Sequence, residues 1–166
     1  MLLCVALTAS NNPQGVPIIM NHYLDQVESA EEQVKWIEYT RSGIFKSIVL
    51  CGGPRVINAE IALYNNLSAQ YQSLLRKRAL NSQGNSAVWD TRGMNFFNQV
   101  YGVESEKKYQ VIQRASPDLW YFVNEVYGNI VSDMTYLDGI DTELQVIVSL
   151  IQIDAGPQVR SFCVII

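Results

Sequence analysis

Apolar residues recur along most of this chain at intervals of three and four positions, which places them on one face of an α-helix. No stretch between turn signals alternates apolar and polar residues for long enough to predict a strand. Val146–Ile153 is rich in β-branched residues, but its length and the helix-start residues before it favour a helix. The pattern therefore predicts an all-α protein whose helices cover Leu2–Ala9, Val16–Gln26, Ala30–Leu50, Pro54–Leu67, Thr91–Tyr101, Glu104–Gln113, Pro117–Tyr127, Asp141–Ile153 and a last segment from Val159.

Capping residues mark the predicted starts of two of these helices. Ser29 precedes Glu32 by three positions, the spacing of a capping box in which each side chain binds the other residue's backbone N–H. Ser116, Pro117 and Asp118 combine a capping hydroxyl, a proline at the first helical position and an acid near the positive end of the helix dipole. These residues predict helices that begin close to Ala30 and Pro117.

The stretch Lys46–Tyr64 predicts a tight corner between two buried helices. An apolar helix end runs into Gly52 and Gly53, and a glycine at that place can adopt the left-handed conformation that closes a helix. Pro54 then begins the next helix without losing a hydrogen bond, because the first N–H groups of a helix have no partner in it. Arg55 and Asn58 are the polar residues of this corner.

Composition along the chain predicts two helical segments and a linker. Residues 1–67 form the first, repeat-derived segment, residues 68–90 the linker, and residues 91–166 a second segment that packs with the first as one domain. Asn81–Asn85, rich in Asn, Ser, Gln and Gly, is the strongest linker candidate. The basic run Arg76–Arg78 is interpreted as a solvated linker or helix face rather than as a phosphate-binding patch.

The two ends of the chain resemble each other. Leu2–Gly15 reads LLCVALTASNNPQG and Val146–Val159 reads VIVSLIQIDAGPQV, so that Pro-Gln falls on Pro-Gln and apolar residues fall on apolar residues. This echo indicates that one structural unit occurs twice in the chain. The unit consists of a helix, a break at a proline and a second helix. The fold is then a duplicated helical bundle cut at both ends, completed by another subunit or belonging to a longer chain.

Charge and length exclude several classes of protein. The 166 residues suit one domain, and a net charge of -4 argues against a nucleic-acid partner, which would require a basic surface. No apolar run reaches the roughly 18 residues of a membrane span. The apolar start lacks the basic residues that precede the core of a signal peptide, so we expect none.

Cysteine and histidine usage indicate a reducing compartment without a metal site. The three cysteines are far apart and form no CxxC, and the single histidine, His22, is too little for a zinc site. We predict no cofactor and an intracellular location, the cytoplasm first, with the mitochondrion or the peroxisome as alternatives. The end of the chain is not of the SKL type used for peroxisomal import, and we do not expect prenylation at Cys163 although CVII has the C-a-a-X form.

Several motifs resemble the alkylhydroperoxidase-D-like or carboxymuconolactone decarboxylase superfamily. Gly52–Ala59 reads GGPRVINA, similar to the G-x-P-[RK]-x-[IL]-N-A corner of that family. The sequences SPDL at Ser116, VYG at Val126, DTEL at Asp141 and GPQVRS at Gly156 resemble its second half, and the pattern is closest to the fungal two-repeat members. The resemblance implies an all-α fold and homo-oligomers formed by packing between subunits.

The same resemblance implies that the redox site of the family is degenerate here. Active members carry a Glu at one helix start, a CxxC pair at the next and a His one turn later. Glu143 matches the Glu, but Ala155 and Gln158 replace the two cysteines and Phe162 replaces the histidine. Peroxide reduction requires a reactive thiolate and usually a second, resolving thiol, and these residues supply neither.

Seven residues remain as candidates for a site. The catalytic candidates are Glu143, Cys51 and His22; the pocket candidates are Arg55, Asn58, Gln158 and Tyr127. Four of them also have a structural interpretation: Glu143 as an acid favoured by the helix dipole, Cys51 as a buried thiol, His22 as a helix surface residue and Tyr127 as a packing residue.

Three hypotheses about function follow. The first is a family member that has lost the CxxC site and has no peroxidase activity, its activity being unassigned. The second is an active oxidoreductase that uses a non-standard residue such as Cys51 or His22. The third is a structural or interaction protein whose ends are completed by a partner subunit.

Overall fold

The computed structural model describes residues 1–77 and 86–162, which form helices joined by short turns and contain no strand. The all-α prediction is therefore confirmed, and Val146–Ile153 is almost wholly helical. The α-helices are α1 (Leu2–Ala9), α2 (Gly15–Leu24), α3 (Ala30–Lys46), α4 (Ile48–Cys51), α5 (Gly53–Asn66), α6 (Ala69–Leu74), α7 (Ser86–Tyr101), α8 (Ser105–Ala115), α9 (Pro117–Val126), α10 (Gly139–Gln152) and α11 (Gly156–Phe162). A 3-10 turn (Gly102–Glu104) precedes α8, and a π-helical turn (Tyr127–Val131) follows α9.

The hydroxyls of Ser29 and Ser116 cap the helices that they were predicted to begin. The Ser29 hydroxyl accepts a hydrogen bond from the Glu32 amide at 3.4 Å, and the Ser116 hydroxyl accepts one from the Leu119 amide at 3.3 Å. Helix α10 differs from the prediction because the carboxylate of Asp138 caps it, accepting from the Asp141 amide at 2.8 Å. This cap moves the start of the helix from Asp141 to Gly139.

The long helix predicted over Ala30–Leu50 is wrong in one respect, because it is interrupted at Ser47. The Ser47 hydroxyl donates to the Ile44 carbonyl at 2.7 Å and so competes with the helical pattern of backbone bonds. Helix α3 ends at Lys46 and the short α4 follows at once. The structure also adds α6 within the predicted linker, capped by Ser68. Asn81–Asn85 lies outside the described residues.

The chain divides into two compact units. The first comprises Met1–Lys77 and Tyr136–Arg160. The second comprises, among the described residues, 86–135 and 161–162. In the first unit α1 packs against α2, α3 and α10, around a core that includes Val16, Ile37, Ile44 and Leu63. The arrangement of residues 1–67 and 91–166 as one domain stays a prediction.

In the second unit α7 packs closely against the π-helical turn. A Cβ atom added to Gly93 would lie 2.6 Å from the amide nitrogen of Gly128, so only glycine allows the two backbones to approach this far. Phe97, fully buried, contacts the rings of Tyr101, Trp120 and Tyr127. This aromatic cluster supplies much of the unit's core.

The corner predicted at Gly52 is present, but the prediction that it joins two buried helices is wrong, because α4 has no buried residue and α5 is only partly buried. Gly52 has φ +87° and ψ 154°, a backbone conformation that is essentially restricted to glycine. Helix α5 follows with Pro54 in its first turn and presents two apolar faces. Val56, Ala59 and Leu63 are buried, whereas Ile57, Ile61 and Tyr64 are exposed.

The two breaks of the internal echo have the same local geometry. Asn11 and Asp154 each take a positive φ, 60° and 57°. The next amide, of Asn12 and of Ala155, bonds the carbonyl five residues earlier, which is the C-terminal closure of a Schellman motif. Similar closures fit the duplication, which stays a prediction.

Within the described residues, no helix combines the length and the hydrophobicity that a membrane span needs.

Candidate functional site

The first unit contains a buried polar cluster formed by Lys46, Thr142, Glu143 and Gln145. Lys46 lies at the end of α3, where the partial negative charge of the helix favours a cation. The other three lie in the first two turns of α10, which packs against α1, α3 and α4. All four side chains belong to the least exposed in the described chain. Sequence periodicity alone would place such polar residues at the surface.

Lys46 is 1% exposed, an unusual position for an ammonium group. Its Nζ donates a hydrogen bond to Oγ1 of Thr142 at 2.7 Å. Removing an ammonium from water costs several kcal/mol unless polar groups replace the lost hydration. Thr142 supplies one such group, and Glu143, next to Thr142 in the chain, supplies a negative charge that interacts with Lys46.

Glu143 is 7% exposed, and within the described residues neither of its carboxylate oxygens has a hydrogen-bond partner. Burial raises the pKa of Glu143 from 4.5 to about 7, and the charge of Lys46 opposes that rise. A carboxyl group with a pKa near neutrality has both protonation states populated, as a proton carrier requires. This pKa makes Glu143 a candidate proton carrier near neutral pH.

Gln145 lies at the buried side of α10 together with Thr142, one turn away. It is fully buried, and neither its amide nitrogen nor its amide oxygen has a partner among the described residues. Buried polar atoms normally form hydrogen bonds, so exceptions point to a functional group or to a bound molecule. Gln145 therefore brings one donor and one acceptor to the same side of α10 as Thr142.

Two of the predicted catalytic residues lie in other surroundings. Cys51 ends α4, is half-buried, and donates from Sγ to the Ser47 carbonyl at 3.1 Å. His22 is exposed near the end of α2, with the amide of Gln26 3.1 Å from its Nε2. In the described structure no hydrogen bond joins His22, Cys51 and Glu143 to one another, so the three catalytic assignments stay predictions.

The predicted pocket residues are dispersed. Arg55 donates from a guanidinium nitrogen to the carbonyl of Ala9, which ties α5 to the end of α1. Asn58 is exposed on α5, and Gln158 is exposed on α11. Tyr127 belongs to the second unit, where its hydroxyl lies 3.4 Å from that of Tyr101. Their assignment to a pocket also stays a prediction.

Sequence reasoning missed Lys46 and Gln145. Lys46 follows Phe45 in a helix with other exposed charges, and nothing local distinguishes it from Lys35, which forms an exposed ion pair with Glu31. No local signal marks the interruption at Ser47 either, since the apolar pattern continues across it. The burial itself arises from α10, 96 positions away.

The described chain is thus all-α, with a buried polar cluster around Glu143 in its first unit. No family model matches the chain, and no solved structure does. Two curated fungal relatives match. One, Peroxisomal protein 2 of Schizosaccharomyces pombe, is 26% identical over 159 residues, covering 94% of this chain and 70% of the relative. The other, Peroxisomal protein 2 of Saccharomyces cerevisiae, is 27% identical over 143 residues, covering 72% of this chain and 50% of the relative.

Proposed function

We propose that this chain is an alkylhydroperoxidase-D-like, carboxymuconolactone decarboxylase-like protein of the peroxisome that has lost dithiol peroxidase chemistry and retains proton transfer at Glu143. The observation that carries the proposal is the buried carboxyl group of Glu143, whose pKa is about 7, beside the ammonium of Lys46. The family resemblance supports it, since Glu143 matches the Glu that active members carry.

In the proposed chemistry Glu143 removes a proton from a bound molecule and returns it. Lys46 stabilises the negative charge that develops when the proton leaves, as cationic groups do in a site of low dielectric. Gln145 supplies a hydrogen-bond donor and acceptor to orient polar atoms. The step needs no thiol, in keeping with Ala155 and Gln158 at the places of the two cysteines.

Infrared spectroscopy of the Glu143 carboxyl group tests this proposal directly. The C=O stretch of a buried carboxylic acid should disappear with a midpoint at about pH 7 in the natural protein. The band should be missing from Glu143→Gln and unchanged in Glu31→Gln, whose carboxylate is exposed. A midpoint near the ordinary value of a glutamate would refute Glu143 as the proton carrier.

A peroxide-consumption assay tests the loss of peroxidase chemistry. With a dithiol reductant, the natural protein and Cys51→Ser should both remain at the background rate, because the sequence contains no CxxC pair. Turnover that disappears in Cys51→Ser would overturn the proposal and favour the alternative, an oxidoreductase that uses a non-standard residue.

The names of both relatives support a peroxisomal location. A fluorescent fusion of the natural gene product should colocalise with a marker of the peroxisomal matrix. Fluorescence spread evenly through the cytoplasm would contradict this location and agree instead with the cytoplasmic expectation.

The exposed face of α5 favours a second role, self-association. Ile57, Ile61 and Tyr64 lie at spacings of four and three, so they form one apolar stripe on the side of α5 opposite its buried residues. We propose a second copy of the chain as the partner. Light scattering should then give at least twice the 18.7 kDa of one chain. Ile61→Glu should reduce that mass, whereas Val103→Glu, at a residue already 98% exposed, should not.

A further inference from the structure

A cavity of about 430 Å³ opens in the first unit, between the start of α1, the end of α2, the middle of α3 and the start of α10. Its floor contains Cys4, Met20 and Thr40, all buried. Burial raises the pKa of the Cys4 thiol, so the floor carries no charge at neutral pH. The volume lies in the range of small-molecule sites.

Three aromatic rings form one wall of this cavity. The rings of Tyr23 and Trp36 have centroids 4.7 Å apart at an interplanar angle of 56°. Those of Trp36 and Tyr39 lie 5.0 Å apart in an edge arrangement at 83°. None of the three is fully buried, so ring surface faces the cavity and solvent. The faces of such rings carry partial negative charge and attract cations.

A carboxylate completes the lining. Asp141 faces the cavity, and Tyr39 donates its hydroxyl to it. The pKa of Tyr39 is raised by burial, by that hydrogen bond and by the charges of Asp141 and Asp138. In the described part of the chain neither aspartate forms an ion pair. Met1 and His22 also line the cavity.

We propose that this cavity binds a small organic cation, an ammonium or quaternary ammonium group attached to an apolar body. The cationic group lies against Trp36, Tyr23 and Tyr39 and is neutralised by Asp141. The apolar body lies over the floor at Cys4 and Met20. Glu143 does not line this cavity, so the inference is independent of the function proposed above.

An anionic ligand would fit this site less well. It would meet the carboxylate of Asp141 and the negative ring faces, with a long-range contribution from Asp138 of the same sign. A neutral ligand of the same shape would retain the apolar contacts but lose the attraction of the rings and of Asp141. The charge of the ligand should therefore decide its affinity, with a cationic ligand binding more tightly than a neutral or an anionic one of the same shape.

Calorimetric titration with choline and with its tert-butyl analogue, in which carbon replaces the ammonium nitrogen, tests the proposal. Choline should bind at least about tenfold more tightly, the ratio expected for a desolvated cation over aromatic rings. Fluorescence of Trp36 should change in the same titration. Absence of choline binding at millimolar concentration, or equal binding of the two compounds, would overturn the proposal.

Variants locate the site. Asp141→Asn and Trp36→Leu should each weaken choline binding by about tenfold or more, since each removes one source of attraction. Asp118→Asn, which removes a first-turn acid of α9 in the second unit, should leave choline affinity unchanged. Circular dichroism establishes that each variant is folded, and Trp36→Phe replaces Trp36→Leu if the latter is not. An undiminished affinity in the Asp141 and Trp36 variants would place choline elsewhere and refute this cavity.

Discussion

Replacing Glu143 by glutamine removes a buried charge and keeps the shape of the side chain. In the natural protein the pKa of Glu143 is raised by burial from 4.5 to about 7. Because the folded-state value is the higher one, the unfolded chain loses this proton first as pH rises. Stability is therefore lost between about pH 4.5 and pH 7 and is constant above that range.

The size of the effect follows from the difference between the two pKa values. Each unit corresponds to about 1.4 kcal/mol, so the buried carboxylate destabilises the folded state by about 3 kcal/mol at pH 8. At pH 5 the cost is only about 1 kcal/mol, because most of the folded molecules are still protonated. Glu143→Gln resembles the protonated acid and should avoid this cost at every pH.

Urea unfolding across this pH range measures the effect. Glu143→Gln should exceed the natural protein in unfolding free energy by about 3 kcal/mol at pH 8 and by about 1 kcal/mol at pH 5. The comparison of two proteins cancels other titrating groups, including Glu60, whose pKa burial also raises. Glu31→Gln, at an exposed ion pair, should show no such trend. A difference independent of pH, or a less stable variant at pH 8, would refute the buried acid.

Three further predictions concern stability and use the same unfolding assay. Gly52→Ala should lower the free energy of unfolding by about 2 kcal/mol, because an alanine is strained at a φ of +87°. Gly53→Ala should change it by less than about 1 kcal/mol, because no atom lies within 4 Å of the new Cβ. Equal effects of the two substitutions would contradict the strain argument. Gly93→Ala should lose about 3 kcal/mol, since its Cβ would meet a backbone nitrogen at 2.6 Å, and an unaffected protein would rule out that packing. Glu38→Gln should lower the free energy of unfolding by about 2 kcal/mol, because the Glu38 side chain is only 4% exposed and forms ion pairs with Arg41 and Arg76 at 3.2 Å each. A decrease below about 0.5 kcal/mol would show that these ion pairs contribute no more than ion pairs at the surface.

Features that depend only on neighbouring residues were predictable from the amino-acid sequence. A hydroxyl at Ser29 or Ser116 needs only the amide three positions later, so both helix starts were predictable. The corner at Gly52 was predictable because the chain reverses there through a conformation that only glycine adopts easily. Likewise, the absence of alternation predicted the all-α fold. The predicted helix over Ala30–Leu50 was wrong at Ser47 for a reason that is also local. The Ser47 hydroxyl competes with backbone amides for the Ile44 carbonyl, and the helix is interrupted there although the apolar pattern continues.

Which polar residues become chemically distinctive depends on how the helices pack. Lys46 acquires its partner from a residue 96 positions later, and Glu143 acquires its raised pKa from the burial that this packing creates. The cavity likewise combines Trp36 with Asp141, which no spacing in the sequence relates. Desolvation and charge interaction depend on distance in space, and helices can pack in many ways with the same apolar pattern. The sequence therefore identified Glu143 as a candidate, whereas folding gave it a buried ammonium as its neighbour.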